Sequence, residues 1–152
     1  MTYIISHQFD INPVPAARPR VSRFSTYYPK KYTRFKKEME ALTSELDSTP
    51  CENLVCVSLK FKIKTPQSWS KKKRLERENT YCNNNSDIDN YIKAMLDSLN
   101  GVYFIDDRQV VEIFASKKYS KEPRILFTMM EKTNKTEEYI IKGINNDKRG
   151  DV

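Results

Sequence analysis

Glycine is nearly missing: among 152 residues there are three, Gly101, Gly143 and Gly150. No glycine-rich loop can therefore cradle a phosphate, which excludes the nucleotide-binding sites built on one. Histidine occurs once, as His7, alternating with Ile5, Phe9 and Ile11 in a strand-like run. That setting suits a half-buried strand residue better than a catalytic base, so a serine–histidine–aspartate triad and histidine-ligated zinc are both poor fits. Cysteine is scarce and odd in number. Cys51, Cys56 and Cys82 show no CxxC spacing, which argues against a disulfide framework or a zinc knuckle and suits thiols in a reducing cytosol. No apolar run approaches membrane-spanning length, and MTYIISHQF at the start lacks the cationic-then-apolar order of a signal peptide. The expectation is a soluble, cytoplasmic protein with no membrane partner, in which carboxylates carry any chemistry.

What the chain does have is basic charge. Lys and Arg outnumber Asp and Glu 27 to 20, a net charge of +7. Such a balance points to an acidic partner, nucleic acid first and an anionic membrane surface second. Lysine that merely keeps a small protein soluble is the competing explanation. With 38% hydrophobic and 11% aromatic residues the composition is that of a folded chain. Its length suits one domain with a real core. We place that domain at residues 1–132, followed by a polar, aperiodic C-terminal tail at 133–152.

Residues 3–11 alternate apolar and polar positions and predict a first strand. Residues 12–23, NPVPAARPRVSR, form a proline-rich basic loop that cannot be helical throughout. From Pro29 the spacing Tyr32, Phe35, Met39, Leu42, Leu46 predicts a helix of about four turns. Its charges oppose its dipole: Lys30, Lys31, Arg34, Lys36 and Lys37 lead, and Glu38, Glu40, Glu45 and Asp47 follow. Each misplaced cation costs on the order of a few tenths of a kcal/mol. An anionic ligand at the helix start would offset that cost, and so would i,i+4 pairing on a solvated face.

Val55, Val57, Leu59, Phe61 and Ile63 alternate with Ser58, Lys60, Lys62 and Lys64, the clearest strand in the chain. Lysines there can also guard an exposed edge. Residues 68–79, SWSKKKRLEREN, suit a short helix with cations at Lys71, Lys72, Lys73, Arg74 and Arg77. A mobile polar stretch at 80–86 precedes a second amphipathic helix, whose stripe is Ile88, Ile92, Met95, Leu96 and Leu99 and whose cap is Asn100-Gly101. Residues 102–105, the Asp106-Asp107 turn and residues 109–119 read as strand, turn and strand. Residues 123–131 predict a last strand.

The acids cluster around the second amphipathic helix, at Asp87, Asp89, Asp97, Asp106 and Asp107. Each has an ordinary explanation alone, as a helix cap, a dipole partner or a turn residue. Together they say more. Asp87 and Asp89, still extended, point to one side, Lys93 follows Asp89 by one turn, and Asp97 follows Lys93. If the next hairpin folds back, Asp106 or Asp107 joins them. Converging carboxylates repel one another, and a divalent cation such as Mg²⁺ resolves the repulsion while binding phosphate oxygens. An acidic metal pocket within a basic surface is the electrostatics expected of a metal nuclease.

The run Asp87-Ile88-Asp89-Asn90, Lys93-Ala94, Leu96 to Gly101, Asp106-Asp107 and Gln109-Val110-Val111 resembles the signature of the RusA family of Holliday junction resolvases, endodeoxyribonucleases often carried by phages. Residues 13–20 and Tyr28-Pro29-Lys30-Lys31 resemble the family's opening segment. The resemblance implies a small α+β fold, a mixed sheet packed with two to three helices, that forms a homodimer. It implies paired, symmetric, Mg²⁺-dependent nicks in four-way DNA junctions during recombination and repair, with no small-molecule cofactor and a place beside nucleoid or phage DNA. By that resemblance Asp87, Asp89 and Asp107 are the metal-binding catalytic acids and Lys93 the catalytic lysine. Asp106 is a less certain neighbour, and Asp97 a brace for Lys93. The cations expected to meet DNA are Arg18, Arg20, Lys30, Lys31, Arg34, Lys71, Lys72, Lys73 and Arg74. Two departures stand out: Asn84-Asn85-Ser86 replaces basic residues, and Ala16-Ala17 replaces Lys-Gly, which removes charge from two DNA-facing places. The alternatives are a non-catalytic basic nucleic-acid binding module and a metal nuclease acting on flaps or forks.

Overall fold

In the computed structural model, which describes residues 4–132, the elements follow in chain order. They are β1 (Ile4–Phe9), β2 (Arg20–Val21), β3 (Thr26–Tyr27), α1 (Lys30–Ser44), β4 (Leu54–Lys64), α2 (Lys71–Arg77), α3 (Ile88–Leu99), a 3-10 turn (Asp107–Gln109), β5 (Val110–Ser120) and β6 (Arg124–Lys132). The tail expected at 133–152 lies outside the described residues. The fold is α+β, with three helices and a four-stranded mixed sheet of order β1-β6-β4-β5 among the described residues. β4 runs antiparallel to β6 and parallel to β5. A parallel neighbour cannot be reached through a tight turn, and here the crossover carries α2 and α3, with the acids at both ends of α3.

Alternation along β4 turns Val55, Val57, Leu59, Phe61 and Ile63 inward, and all five are buried. Tyr32, Phe35 and Met39 of α1 and Tyr91, Ala94, Met95 and Leu99 of α3 close over them. Fully burying a side chain of this size contributes about 1.5–3 kcal/mol relative to leaving it exposed. The opposite face of the sheet carries Ser58, Lys60 and Lys62. His7 is half-buried on β1, its ring 4.3 Å from that of Phe9, as its place in the alternation requires.

Three local expectations are corrected. β4 lies inside the sheet with both edges paired, so its lysines guard no edge. Residues 102–105 form no strand: Gly101, at φ +78°, reverses the chain, and its N–H donates to the Phe104 carbonyl at 2.7 Å. Tyr103 and Phe104 swing into the core, so the apolar run read as a strand is a plug. The polar stretch 80–86 is tethered along β5, where Cys82 N–H donates to the Lys117 carbonyl at 3.0 Å and the Thr80 carbonyl accepts from Tyr119 at 2.9 Å. The basic loop after Asn12 contains a two-residue ladder, Arg20–Val21 against Thr26–Tyr27.

Candidate active site

Asp87 occupies the N-cap position of α3, with extended φ −72° and ψ 145°, yet its side chain accepts no capping hydrogen bond. Asp89 sits in the first turn. Both are exposed, and among the described residues neither carboxylate enters a hydrogen bond or an ion pair. An N-cap aspartate that does not cap forgoes about 1 kcal/mol of helix stability. The segment ahead of Asp87 is held from outside. Lys117 on β5 donates from Nζ to Asn84 Oδ1 at 2.7 Å and to the Ser86 carbonyl at 2.6 Å, and Asn84 donates to the Tyr91 hydroxyl at 2.8 Å. Asn84 is therefore a tie inside the structure rather than a DNA-facing position that has lost its charge.

One turn beyond Asp89 on the polar side of α3, Lys93 pairs with Asp97 at 3.3 Å. The brace expected of Asp97 is thus in place, though an exposed pair of this kind contributes little stability. Both residues line a cleft of about 330 Å³ with Arg18, Tyr28, Tyr32 and Lys36. The Ala16 N–H donates to the Asn90 carbonyl at 2.9 Å, which fastens the basic loop to α3 and brings Arg18 to the cleft. Ala16 and Ala17 are half-buried on its wall. Lys36 lies 5.3 Å from the Tyr28 ring centroid and 5.0 Å from that of Tyr32. Burial first, then Asp97 and Tyr28, push the Tyr32 hydroxyl above its ordinary pKa. Among the described residues no ion pair forms on α1, so its leading cations are not compensated by i,i+4 partners.

At the far end of α3 the chain is bolted. Asp106 Oδ1 accepts from the Arg108 N–H at 2.8 Å, and Gln109 Oε1 accepts from the Ile105 and Asp106 N–H groups at 2.9 Å each, a capping box around the 3-10 turn. Gln109 Nε2 also donates to the Cys51 and Asn53 carbonyls at 2.7 and 2.8 Å. The hydrogen bond from the Arg108 backbone holds the Asp106 carboxyl below the usual carboxylate range. Asp107 behaves oppositely: lost hydration first, then Asp106 and Asp97, push it up, while Lys93 pulls the other way. Asp106 is thus a structural acid and Asp107 a crowded one.

The structure therefore brings Asp107, Asp97 and Lys93 within electrostatic reach, with Asp89 one helical turn from Lys93. It does not bring Asp87, Asp89 and Asp107 into one cage. Among the described residues no three His, Cys, Asp or Glu side chains stand close enough to hold a metal ion. Residues 102–105, expected to open a hairpin, plug the core instead, and the chain that follows brings Asp107 back toward Asp97 and Lys93. The donor type nonetheless suits a hard divalent cation: Asp87 and Asp89 offer unshared carboxylate oxygens, and Asp107 gains from a nearby positive charge.

Of the other cations, Arg20, Lys30, Lys31, Arg34, Lys71, Lys72 and Lys73 are exposed. Arg74 is half-buried and lines a separate cavity of about 670 Å³ with Lys64, Lys71 and Arg124. Lys73 lies 4.4 Å from the Trp69 ring centroid. Gln109 was read only as part of the family signature, with no role, and Lys117 escaped the sequence reading. The D-x-x-Q spacing of Asp106 and Gln109 is a capping-box signal that could have flagged the first, whereas Lys117 reaches Asn84 only through the folded sheet. No helix among the described residues is long and apolar enough to cross a membrane.

A family model described as Endodeoxyribonuclease RusA matches residues 10–130. The chain is also 33% identical over 122 residues to a Bacillus subtilis (strain 168) protein described as Uncharacterized protein YqaN, covering 74% of this chain and 86% of that one.

Proposed function

The chain belongs to the RusA family of endodeoxyribonucleases, and from that premise we propose that it is a Mg²⁺-dependent, homodimeric nuclease that resolves four-way DNA junctions, with residues 1–132 as its endonuclease unit. The observation that carries this reading is the pair of unshared carboxylates, Asp87 at the N-cap and Asp89 one turn ahead of Lys93, in a basic chain. A module that only bound DNA would gain nothing by turning unpaired negative charge toward phosphate.

Asp87, Asp89 and Asp107 are the residues that would hold the cation. When bound, Mg²⁺ supplies polarisation of the scissile phosphate and lowers the pKa of a water. Carboxylates that repel one another have no reason to close together before a cation neutralises them. Lys93, held by Asp97, sets a positive charge against the negative charge on the phosphoryl oxygens in the transition state. Arg18 and Lys36 in the same cleft draw the sugar–phosphate backbone toward α3. Two matched cuts across a junction call for two sites related by a two-fold axis, which a homodimer provides.

The test is cleavage of a synthetic four-way junction, read for paired symmetric nicks, with Mg²⁺ and with EDTA. Nicking that requires the metal and disappears in Asp89→Asn supports the proposal. Salt-sensitive binding without nicks in any divalent metal sinks it, and flap or fork cleavage that outruns junction cleavage reassigns the substrate.

A further inference from the structure

The face of the sheet turned away from α1 and α3 carries a second cluster that the nuclease reading leaves unused. Phe114 on β5 is 62% exposed and Tyr81 beside it 77% exposed, both large rings with no core role. They line a cleft of about 340 Å³ together with Lys60, Lys62, Lys118 and Asn79. We propose that this cleft binds single-stranded DNA, with Phe114 and Tyr81 stacking bases and Lys60, Lys62 and Lys118 taking the phosphates.

Two of the lysines, Lys62 and Lys118, are placed rather than splayed. Lys62 donates from Nζ to Asn79 Oδ1 at 2.7 Å. Asn79 itself is held at φ 62°, the left-handed region, with its N–H donating to the Tyr119 carbonyl at 2.9 Å. That backbone conformation is uncommon outside glycine, and it presents the amide oxygen that fixes the ammonium. Lys118 lies 4.9 Å from the Tyr81 ring centroid, and a backbone bridge to Lys118 positions Tyr81 on the edge of β5. Among the described residues no carboxylate forms an ion pair with any of the three lysines. Burial first, then Lys118, Arg124 and Lys60, pull the Lys62 ammonium below its ordinary pKa, with Glu78 acting the other way. A cationic crowd of this kind favours an anion.

The charge also continues past the cleft. Arg124, which acts on Lys62, lines the neighbouring cavity with Lys64, Lys71, Arg74 and Lys121, five cations against the two acids Glu78 and Glu122. A track of cations suits a polyanion better than a small ligand. Exposed rings interleaved with lysines suit an unpaired strand, whose base faces are free to stack; a duplex keeps those faces covered. A second copy of the chain fits poorly, because a two-fold contact would oppose these lysines to themselves. The proposal does not rest on the catalytic assignment, since the cluster shares no residue with it.

The experiment is fluorescence anisotropy in EDTA, so that nothing is cut, using a labelled oligothymidylate of about 15 nucleotides and a duplex of equal length. The full-length chain is compared with Tyr81→Ser/Phe114→Ser and with Lys60→Gln/Lys62→Gln/Lys118→Gln. Because the rings are solvent-exposed, the serine variant keeps its fold, which a melting curve checks. Losing the rings should weaken oligothymidylate binding about tenfold or more and leave duplex binding unchanged. Losing the lysines should flatten the salt dependence of oligothymidylate binding. Failure of the wild type to bind oligothymidylate, or equal binding by the serine variant, overturns the proposal. So does sedimentation showing that Phe114→Ser turns a dimer into a monomer, which would make this face a contact between copies.

Discussion

The two ends of α3 carry the same kind of residue and put it to opposite uses. At the exit, Asp106 caps a 3-10 turn, its neighbour Gln109 makes four hydrogen bonds, and the segment is locked against Cys51 and Asn53. At the entrance, Asp87 stands where a cap belongs and caps nothing, and Asp89 is equally unpartnered. The chain there is held by a residue from another element, Lys117, which leaves the acids themselves unengaged. An acid with partners accounts for itself structurally. An acid positioned with care but left without partners points to a ligand. Asp107 sits between the two cases, next to the bolt yet crowded by negative charge.

The sharpest way to break this comparison is to neutralise each end. Asp87→Asn or Asp89→Asn should lower junction cleavage by about 10³-fold, the several kcal/mol expected from losing metal-assisted charge stabilisation. Their stability should stay within about 0.5 kcal/mol of wild type, because no partner is lost. Cleavage rates and thermal melts on the same preparations decide the matter. Full activity together with a loss of stability would place these acids on the structural side. Lys117→Met comes next: it frees the segment that presents Asp87 and should weaken the apparent affinity for Mg²⁺ in the cleavage assay about 10- to 100-fold. An unchanged metal dependence would show that the tether does nothing for the site.

Gln109→Ala tests the exit with a smaller effect of another kind. Four hydrogen bonds are lost from a partly solvated position, and the expected loss of stability is about 1–3 kcal/mol by denaturant unfolding. A change smaller than that of Asp87→Asn would remove the contrast between the two ends.

Much of the entrance was legible because its determinants are local. The stripe from Ile88 to Leu99, the Asn100-Gly101 cap and the Asp-x-Asp before Lys93 are all written at helical spacing, and β4 is equally explicit through its alternation. The exit was misread because Val102, Tyr103, Phe104 and Ile105 are as apolar as a strand. Only the reversal at Gly101 and the room in the core decide that Tyr103 and Phe104 plug instead of pair. The parallel pairing of β4 with β5 lies equally beyond local pattern, because it joins residues across a crossover that holds two helices. It determines that Lys117 reaches Asn84 and that Tyr81 lies beside Lys118. How far Asp107 stands from the entrance acids follows from the same long-range packing, which composition and spacing do not record.

The smallest effect separates Asp107 from Asp106 by the sign of a pH dependence. Asp106 is held low by the Arg108 N–H. Its contribution to stability is present above the unfolded pKa and is lost as pH falls through the folded one, below the ordinary carboxylate value of about 4. Asp107 is pushed up, so between its unfolded and folded pKa values the native chain binds more protons than the unfolded chain. Stability therefore declines as pH rises through that window, which lies above the ordinary value. A divalent cation reverses this, since it favours the ionised carboxylate and competes with the proton. In EDTA, Asp107→Asn should melt higher than wild type on the alkaline side of the window and match it on the acid side. In Mg²⁺, wild type should recover the difference as pH rises, and Asp107→Asn should gain less. If Mg²⁺ raises the melting temperature of both proteins equally at every pH, Asp107 holds no cation and belongs with Asp106 among the structural acids.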